Sequence, residues 1–207
     1  MVDSYKILST SIEYIGSRSL VPCTDSSVVQ PTSTSSNTTD HFRGDTLLLP
    51  PPTPLNPTPN VLIATTRGSS TATRGWLSIF PLDTDGNFVD ALKSRDFVGN
   101  FDGDDEAHRF RTPTSGGKAN AIDILPKSLL SNDAENGLWI LLTDDDDVTA
   151  TTGVGAVRIL EWDGWRSEGI ELVTEWPSPD SSAVESEYPD ELERERIKGA
   201  SHAIWLD

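Results

Sequence analysis

The sequence predicts an all-β fold: a partial β-propeller of about two four-stranded blades with single flanking strands. Two observations carry that expectation. The chain repeats itself at a period near 80 residues, and each period holds short strand-like runs without helical periodicity. Gly75-Trp-Leu-Ser-Ile-Phe-Pro-Leu-Asp83 aligns with Gly155-Ala-Val-Arg-Ile-Leu-Glu-Trp-Asp163 at an offset of 80. Leu62-Ile-Ala-Thr-Thr66 aligns with Ile140-Leu-Leu-Thr-Asp144 at 78, and Gly117-Lys-Ala-Asn-Ala-Ile122 with Gly199-Ala-Ser-His-Ala-Ile204 at 82. A fixed long period marks a repeat architecture, and four short antiparallel strands per period are the pattern of a propeller blade.

The elements follow in order. Tyr5 to Ile15 reads as the last strand of an earlier blade. The first copy then offers Asp45–Pro50, Val61–Thr66, Gly75–Leu82 and Phe88–Val98. The second offers Ala119–Leu125, Leu138–Asp144, Ala156–Trp162 and Ile170–Trp176. Most are rich in Ile, Leu, Val and Trp and bounded by Gly, Pro, Asp and Asn. Asp83-Thr-Asp-Gly-Asn87 and Asp163-Gly164 read as the turns between third and fourth strands, where Asp-Gly supplies positive φ. Ala200 to Asp207 repeats a first strand without successors. The divisions are therefore 1–40 (a partial blade strand and a Ser/Thr-rich loop), 41–100 (first blade), 101–117 (an acidic and Gly-rich connection), 118–178 (second blade), 179–198 (an acidic loop) and 199–207 (first strand of a further blade). Propellers close with about four to eight blades. Two blades imply part of a larger propeller, with open blade edges that invite self-association.

Composition bounds the partners. The formal net charge is −17, which argues against nucleic acid or an anionic membrane surface. Three acidic clusters, Asp102–Glu106, Asp144–Asp147 and Asp180–Glu195, read as solvated loops. Asp102–Glu106 lacks the spacing of a calcium loop. The lone Cys23 fits a reducing compartment. His41, His108 and His202 show no paired metal-ligand spacing, so no metal is expected. No apolar run approaches a membrane span, and the N-terminus lacks a secretory pattern. A cytoplasmic protein is the expectation.

No phosphate loop, dinucleotide fingerprint, nucleophile elbow or zincin motif is present. Arg67 stands out instead: it ends the apolar strand Val61–Thr66, precedes Gly68, and carries a planar fork suited to a carboxylate. Its plain alternative is a surface arginine or a structural ion pair. Thr112-Pro-Thr-Ser-Gly-Gly-Lys-Ala-Asn-Ala121 is a polar loop whose N–H groups, with Lys118, suit an anion, or whose glycines serve geometry only. His202 takes the place of Asn120 in the next copy, as a titrating or a structural group. Arg43 and Asp45 open the first strand as a candidate substrate contact or an ordinary surface pair.

Thr65-Thr-Arg-Gly68, Thr112-Pro-Thr-Ser-Gly-Gly117 followed by Asn120-Ala121, and Ala203-Ile-Trp-Leu-Asp207 together resemble the C-terminal part of fungal carboxy-cis,cis-muconate cyclase, the 3-carboxymuconate lactonizing enzyme family. His41-Phe-Arg-Gly-Asp45 resembles the segment entering the same blade. The resemblance implies a seven-bladed propeller and a cycloisomerase, an intramolecular lyase of aromatic catabolism through the β-ketoadipate route. That reaction closes 3-carboxy-cis,cis-muconate reversibly to a lactone, without metal or organic cofactor. Of the family's site residues only one arginine carries over, onto Arg67 as a catalytic residue. Lys118, His202 and Arg43 stand beside it as candidate contacts to a small-molecule tricarboxylate. The expectation is thus a C-terminal fragment, inactive alone; the alternative is a non-catalytic propeller fragment that binds protein.

Overall fold

A computed structural model describes residues 1–22, 42–70, 73–89, 107–115, 121–130, 137–144, 156–176 and 203–206. The architecture is all-β: three antiparallel sheets, none closed into a barrel. A hairpin of β1 (Val2–Ile7) and β2 (Ile12–Arg18) leads. The first four-stranded sheet is β3 (Phe42–Leu48), β4 (Val61–Gly68), β5 (Trp76–Pro81) and β6 (His108–Arg111), in that spatial order. The second is β7 (Ile122–Pro126), β8 (Leu138–Asp144), β9 (Ala156–Trp162) and β10 (Ile170–Trp176), also in chain order. Sequential meander sheets stacked on one another are the blades the repeat demands.

The strands form where side-chain parity finds a partner on each face. In β4, Val61 and Ile63 join Leu77 and Ile79 of β5 against Ile122, Ile124, Leu138, Ile140, Leu142, Leu160 and Trp162 of the second sheet. Leu62 and Ala64 point the other way, with Phe80, toward Leu20 and Val2 of the N-terminal segment. β4 is covered on both faces, so Val61–Thr66 is an unbroken buried run rather than an alternating one. Burying one such large aliphatic side chain contributes about 1.5–3 kcal/mol.

Three strands of the second blade, β8, β9 and β10, lie where the sequence placed them. Other elements differ. The fourth strand of the first blade is His108–Arg111, not Phe88–Val98, and it falls within the segment expected to be a connection. Phe88 makes only an isolated bridge to Leu82, and residues 90–106 lie outside the described set. β6 carries few apolar residues, yet His108 and Phe110 alternate inward while Arg109 donates to Ser78 Oγ (2.7 Å) and to Ser19 O (3.0 Å). The N-terminal strand is a hairpin. Leu8 N–H closes it on Ser11 O (2.8 Å) with no Gly or Pro to announce a turn. Ala203–Leu206 forms no strand; Trp205 N–H instead donates to Asp123 Oδ2 of β7 (2.8 Å). The two Asp-Gly turns are present, with Gly86 at φ 81° and Gly164 at φ 85°. No helix among the described residues is long and apolar enough to cross a membrane.

One polar contact fastens the blades inside this apolar interface. Trp162 Nε1–H donates to His108 Nδ1 (2.9 Å), and Trp165 packs 4.9 Å from the same imidazole. An accepting Nδ1 means the ring is neutral with its proton on Nε2. Burial holds the His108 pKa below its ordinary 6.5. Stability from this neutral histidine is therefore complete above about pH 6.5 and is lost as pH falls from there through the lower folded value. Thermal melts should show the loss as pH falls below about 6.5, and His108→Gln should reduce its size. Equal pH slopes for wild type and variant would show that His108 does not titrate with unfolding.

Candidate functional site

The site begins where β4 ends. Arg67 shares its face with Thr65 and Ile63 and so points to the side of the first sheet on which the second sheet packs. It is half-buried, and its Nε is shielded from solvent. Arg43 of β3 lies directly opposite Arg67 in the register and is exposed. Opposed residues of an antiparallel pair hold their Cβ atoms about 4.5–5.5 Å apart on one face. Two guanidiniums are thereby carried on one face at this strand end.

The next residues fix this strand end. Gly68 is squeezed against Thr73: a Cβ there would overlap the Thr73 carbonyl oxygen, so no side chain fits. Gly75, entering β5, is held as closely against Thr66 O. Gly68 N–H donates to Ser115 O (2.9 Å), Gly75 N–H to Thr114 O (3.0 Å), and Thr112 N–H to Gly75 O (3.0 Å). Thr112 Oγ1 closes the loop on Thr114 O (2.7 Å). The two motifs Thr65–Gly68 and Thr112–Ser115, far apart in the sequence, are thus joined backbone to backbone.

From that loop the contacts cross to the second blade. Thr114 Oγ1 donates to Asp144 Oδ2. The same oxygen accepts from Arg158 Nη1 (2.7 Å), and Arg158 Nε donates to Glu175 Oε2 (2.5 Å). Arg158 and Asp144 are 3% and 1% exposed, so this is an ion pair inside the protein. By the repeat, Asp144 is the counterpart of Thr66, and it shares the face of Ile140 and Leu142 that meets the first sheet. Arg43 and Arg67 of one sheet and the Arg158 network of the other thus occupy the same end of the stack. A recess lined by Pro50, Thr53, Asn60, Pro126 and Leu138 lies at the opposite end. It does not serve Arg67.

The structure brings together Arg43 and Arg67 among the residues expected at the site. Lys118 and His202 lie outside the described residues, as do Cys23, His41, Asp102–Glu106 and Asp180–Glu195. Asp144 corrects one expectation. It opens a cluster read as a solvated loop, yet it is buried and bonded on two sides. Sequence reasoning passed over Asp144, Thr114 and Arg158. The available signal was Arg158, a charge at an inward position of Ala156–Trp162, which requires a buried counter-ion.

Comparison with known proteins follows this geometry. The chain is 32% identical over 122 residues to Muconate cycloisomerase 1 of Cutaneotrichosporon cutaneum, an alignment covering 58% of this chain. The chain spans about a quarter of that protein's length, the aligned share being 25%. No family model matches the sequence. No solved structure matches it either. The chain is thus similar in sequence to a muconate cycloisomerase over more than half its own length.

Replacing Arg158 by leucine should leave Asp144 and Glu175 as facing acids without their cation. Removing one member of a buried pair costs about 3–5 kcal/mol. Chemical denaturation should register a loss of that order for Arg158→Leu. A loss under about 0.5 kcal/mol, the range of ordinary surface changes, would show that the network carries no stability.

Proposed function

We propose that this chain is the C-terminal part of a carboxy-cis,cis-muconate cyclase-like propeller, in which Arg67 binds and orients a carboxylate of the substrate. The observation that carries the reading is the junction of Thr65–Gly68 with Thr112–Ser115 through Gly68 N–H and Ser115 O. These are the motifs of the resemblance, and they meet at one strand end. The similarity to a muconate cycloisomerase supports the same assignment from sequence.

The chemistry fits a cationic pair. In lactonisation one carboxylate oxygen of the substrate adds to an alkene carbon of the same molecule, forming the C–O bond, while a proton is delivered to the neighbouring carbon. The reverse reaction removes that proton and breaks the bond. The task is orientation and charge stabilisation. In a chain of net charge −17, a tricarboxylate needs a local cationic field to enter, and Arg43 and Arg67 provide one. Arg67 is a fork for two parallel bonds to a carboxylate. It is a poor proton donor, because a guanidinium stays protonated. The acid must come from another group, and on this reading the chain alone is inactive.

A second reading rests on the N-terminal hairpin, where Tyr5, Ile7, Ile12 and Tyr14 are 55%, 82%, 70% and 56% exposed. An uncovered apolar ribbon of this kind favours a protein-binding propeller fragment without catalysis.

Spectroscopic loss of 3-carboxy-cis,cis-muconate decides between them. The purified chain should show no turnover, and turnover would refute its incompleteness. In a complete propeller carrying these blades, Arg67→Lys should lower kcat/KM about a hundredfold, since lysine cannot reproduce the fork and misplaced substrate reacts slowly. Unchanged kinetics would make Arg67 a structural residue.

A further inference from the structure

The arginines at this end of the first sheet fall on both of its faces. Arg43 and Arg67 face the second sheet. Arg111 pairs with Trp76 in the register, and Trp76 has the parity of Ser78 and Phe80, so both face the N-terminal segment instead. The Arg111 guanidinium lies over the Trp76 ring, 5.4 Å from its centroid. Arg74, just before β5, is pinned by two backbone carbonyls: its Nε donates to Thr112 O (2.7 Å) and its Nη2 to Arg111 O (3.3 Å).

These two exposed cations are neighbours without an anion. Burial first, and then the like charge of Arg111, hold the Arg74 pKa below its ordinary value. Neither guanidinium has a carboxylate within salt-bridge distance among the described residues. The chain has 33 acidic side chains to draw on. The indole Nε1–H of Trp76 is likewise buried and has no acceptor among the described residues. The Arg111 fork and the Trp76 indole N–H have no acceptor among the described residues, while Arg74 is held by backbone carbonyls alone.

We propose that Arg74, Arg111 and Trp76 form a second anion site, on the face of the first sheet opposite Arg67, that takes a small carboxylate ligand. Arg74 is already positioned by the Thr112 and Arg111 carbonyls, so binding orders little that is not ordered. The Arg111 fork makes no hydrogen bond among the described residues and is free to grip a planar carboxylate in two places. The Trp76 ring beneath it limits the directions the fork can take. The site stands whether or not Arg67 serves a muconate.

The test uses the whole chain labelled with 15N, with the Trp76 indole resonance assigned by Trp76→Phe. Citrate and inorganic phosphate are titrated separately at constant ionic strength, balanced with sodium chloride. Citrate should shift the Trp76 indole N–H saturably, and phosphate more weakly. Arg111→Gln should weaken citrate binding at least about tenfold, the worth of a charge-assisted hydrogen bond. Arg111→Lys keeps the charge and serves where the glutamine variant does not fold; it too should weaken binding, through loss of the fork. Arg67→Gln should leave the Trp76 shift intact. The proposal is overturned if sodium chloride alone reproduces the shift, if both Arg111 variants keep citrate affinity, or if Arg67→Gln abolishes the response. Phosphate binding as tight as citrate would overturn the carboxylate assignment.

Discussion

Everything at the candidate site depends on one contact, the apolar face that β4 and β5 share with β8 and β9. Val61, Ile63, Leu77 and Ile79 meet Ile140, Leu142, Leu160 and Trp162 there, nearly all wholly buried. Hydrophobic contact has no direction of its own, so it brings the sheets together without fixing their relative placement. Directional bonds at the two ends of the interface do that. His108 and Trp162 bond across it at one end. Thr114 and the Asp144–Arg158 pair bond across it at the other. Between those fastenings the end of β4 is held facing the second sheet, and Arg67 with it.

The repeat made the blades legible, and it did so through both faces of β4. An unbroken apolar run in a short strand cannot be told from a buried helix by periodicity alone. The second copy, offset by 78 and 80 residues, removed that ambiguity, because Leu138–Asp144 and Ala156–Trp162 carry the same pattern between the same kinds of turn. Strand β6 and the Leu8–Ser11 turn stayed illegible. Strand β6 is held by two arginine bonds and two inward rings rather than by aliphatic residues. The Leu8–Ser11 turn has neither Gly nor Pro to mark it. In β6 polar contacts to distant segments replace the local signal. Arg67 was visible because it ends a strand. Asp144 was hidden because three more aspartates follow it, and composition reads such a run as solvated surface.

That hidden carboxylate changes how the acidity of the chain is understood. The fold uses some of its acid internally, to neutralise buried cations. Lys127 shows the same device at the other end of the second sheet. Burial alone would lower its pKa, but its bonds to Asp163 (2.5 Å) and to Glu161 raise it. Its ammonium also lies 4.6 Å from the centroid of Trp139. Arg158 between Asp144 and Glu175 follows the same rule. Lys127 and Arg158, the buried cations among the described residues, are both paired with carboxylates.

Arg74 and Arg111, exposed at the strand end of the first sheet, have no carboxylate partner among the described residues, and that has a physical reading. Arg43 faces Arg67 in the register, and Arg74 lies against Arg111. Like charges set opposite one another destabilise a sheet, and a chain with 33 acidic side chains has the means to avoid it. A fold that pairs Lys127 and Arg158 twice over, yet places guanidiniums side by side at one edge, concentrates positive potential there. Such a field does little for folding. On the proposed function, that field draws a multiply charged anion toward a protein whose overall charge repels it, at the end where the Thr65–Gly68 and Thr112–Ser115 segments are joined.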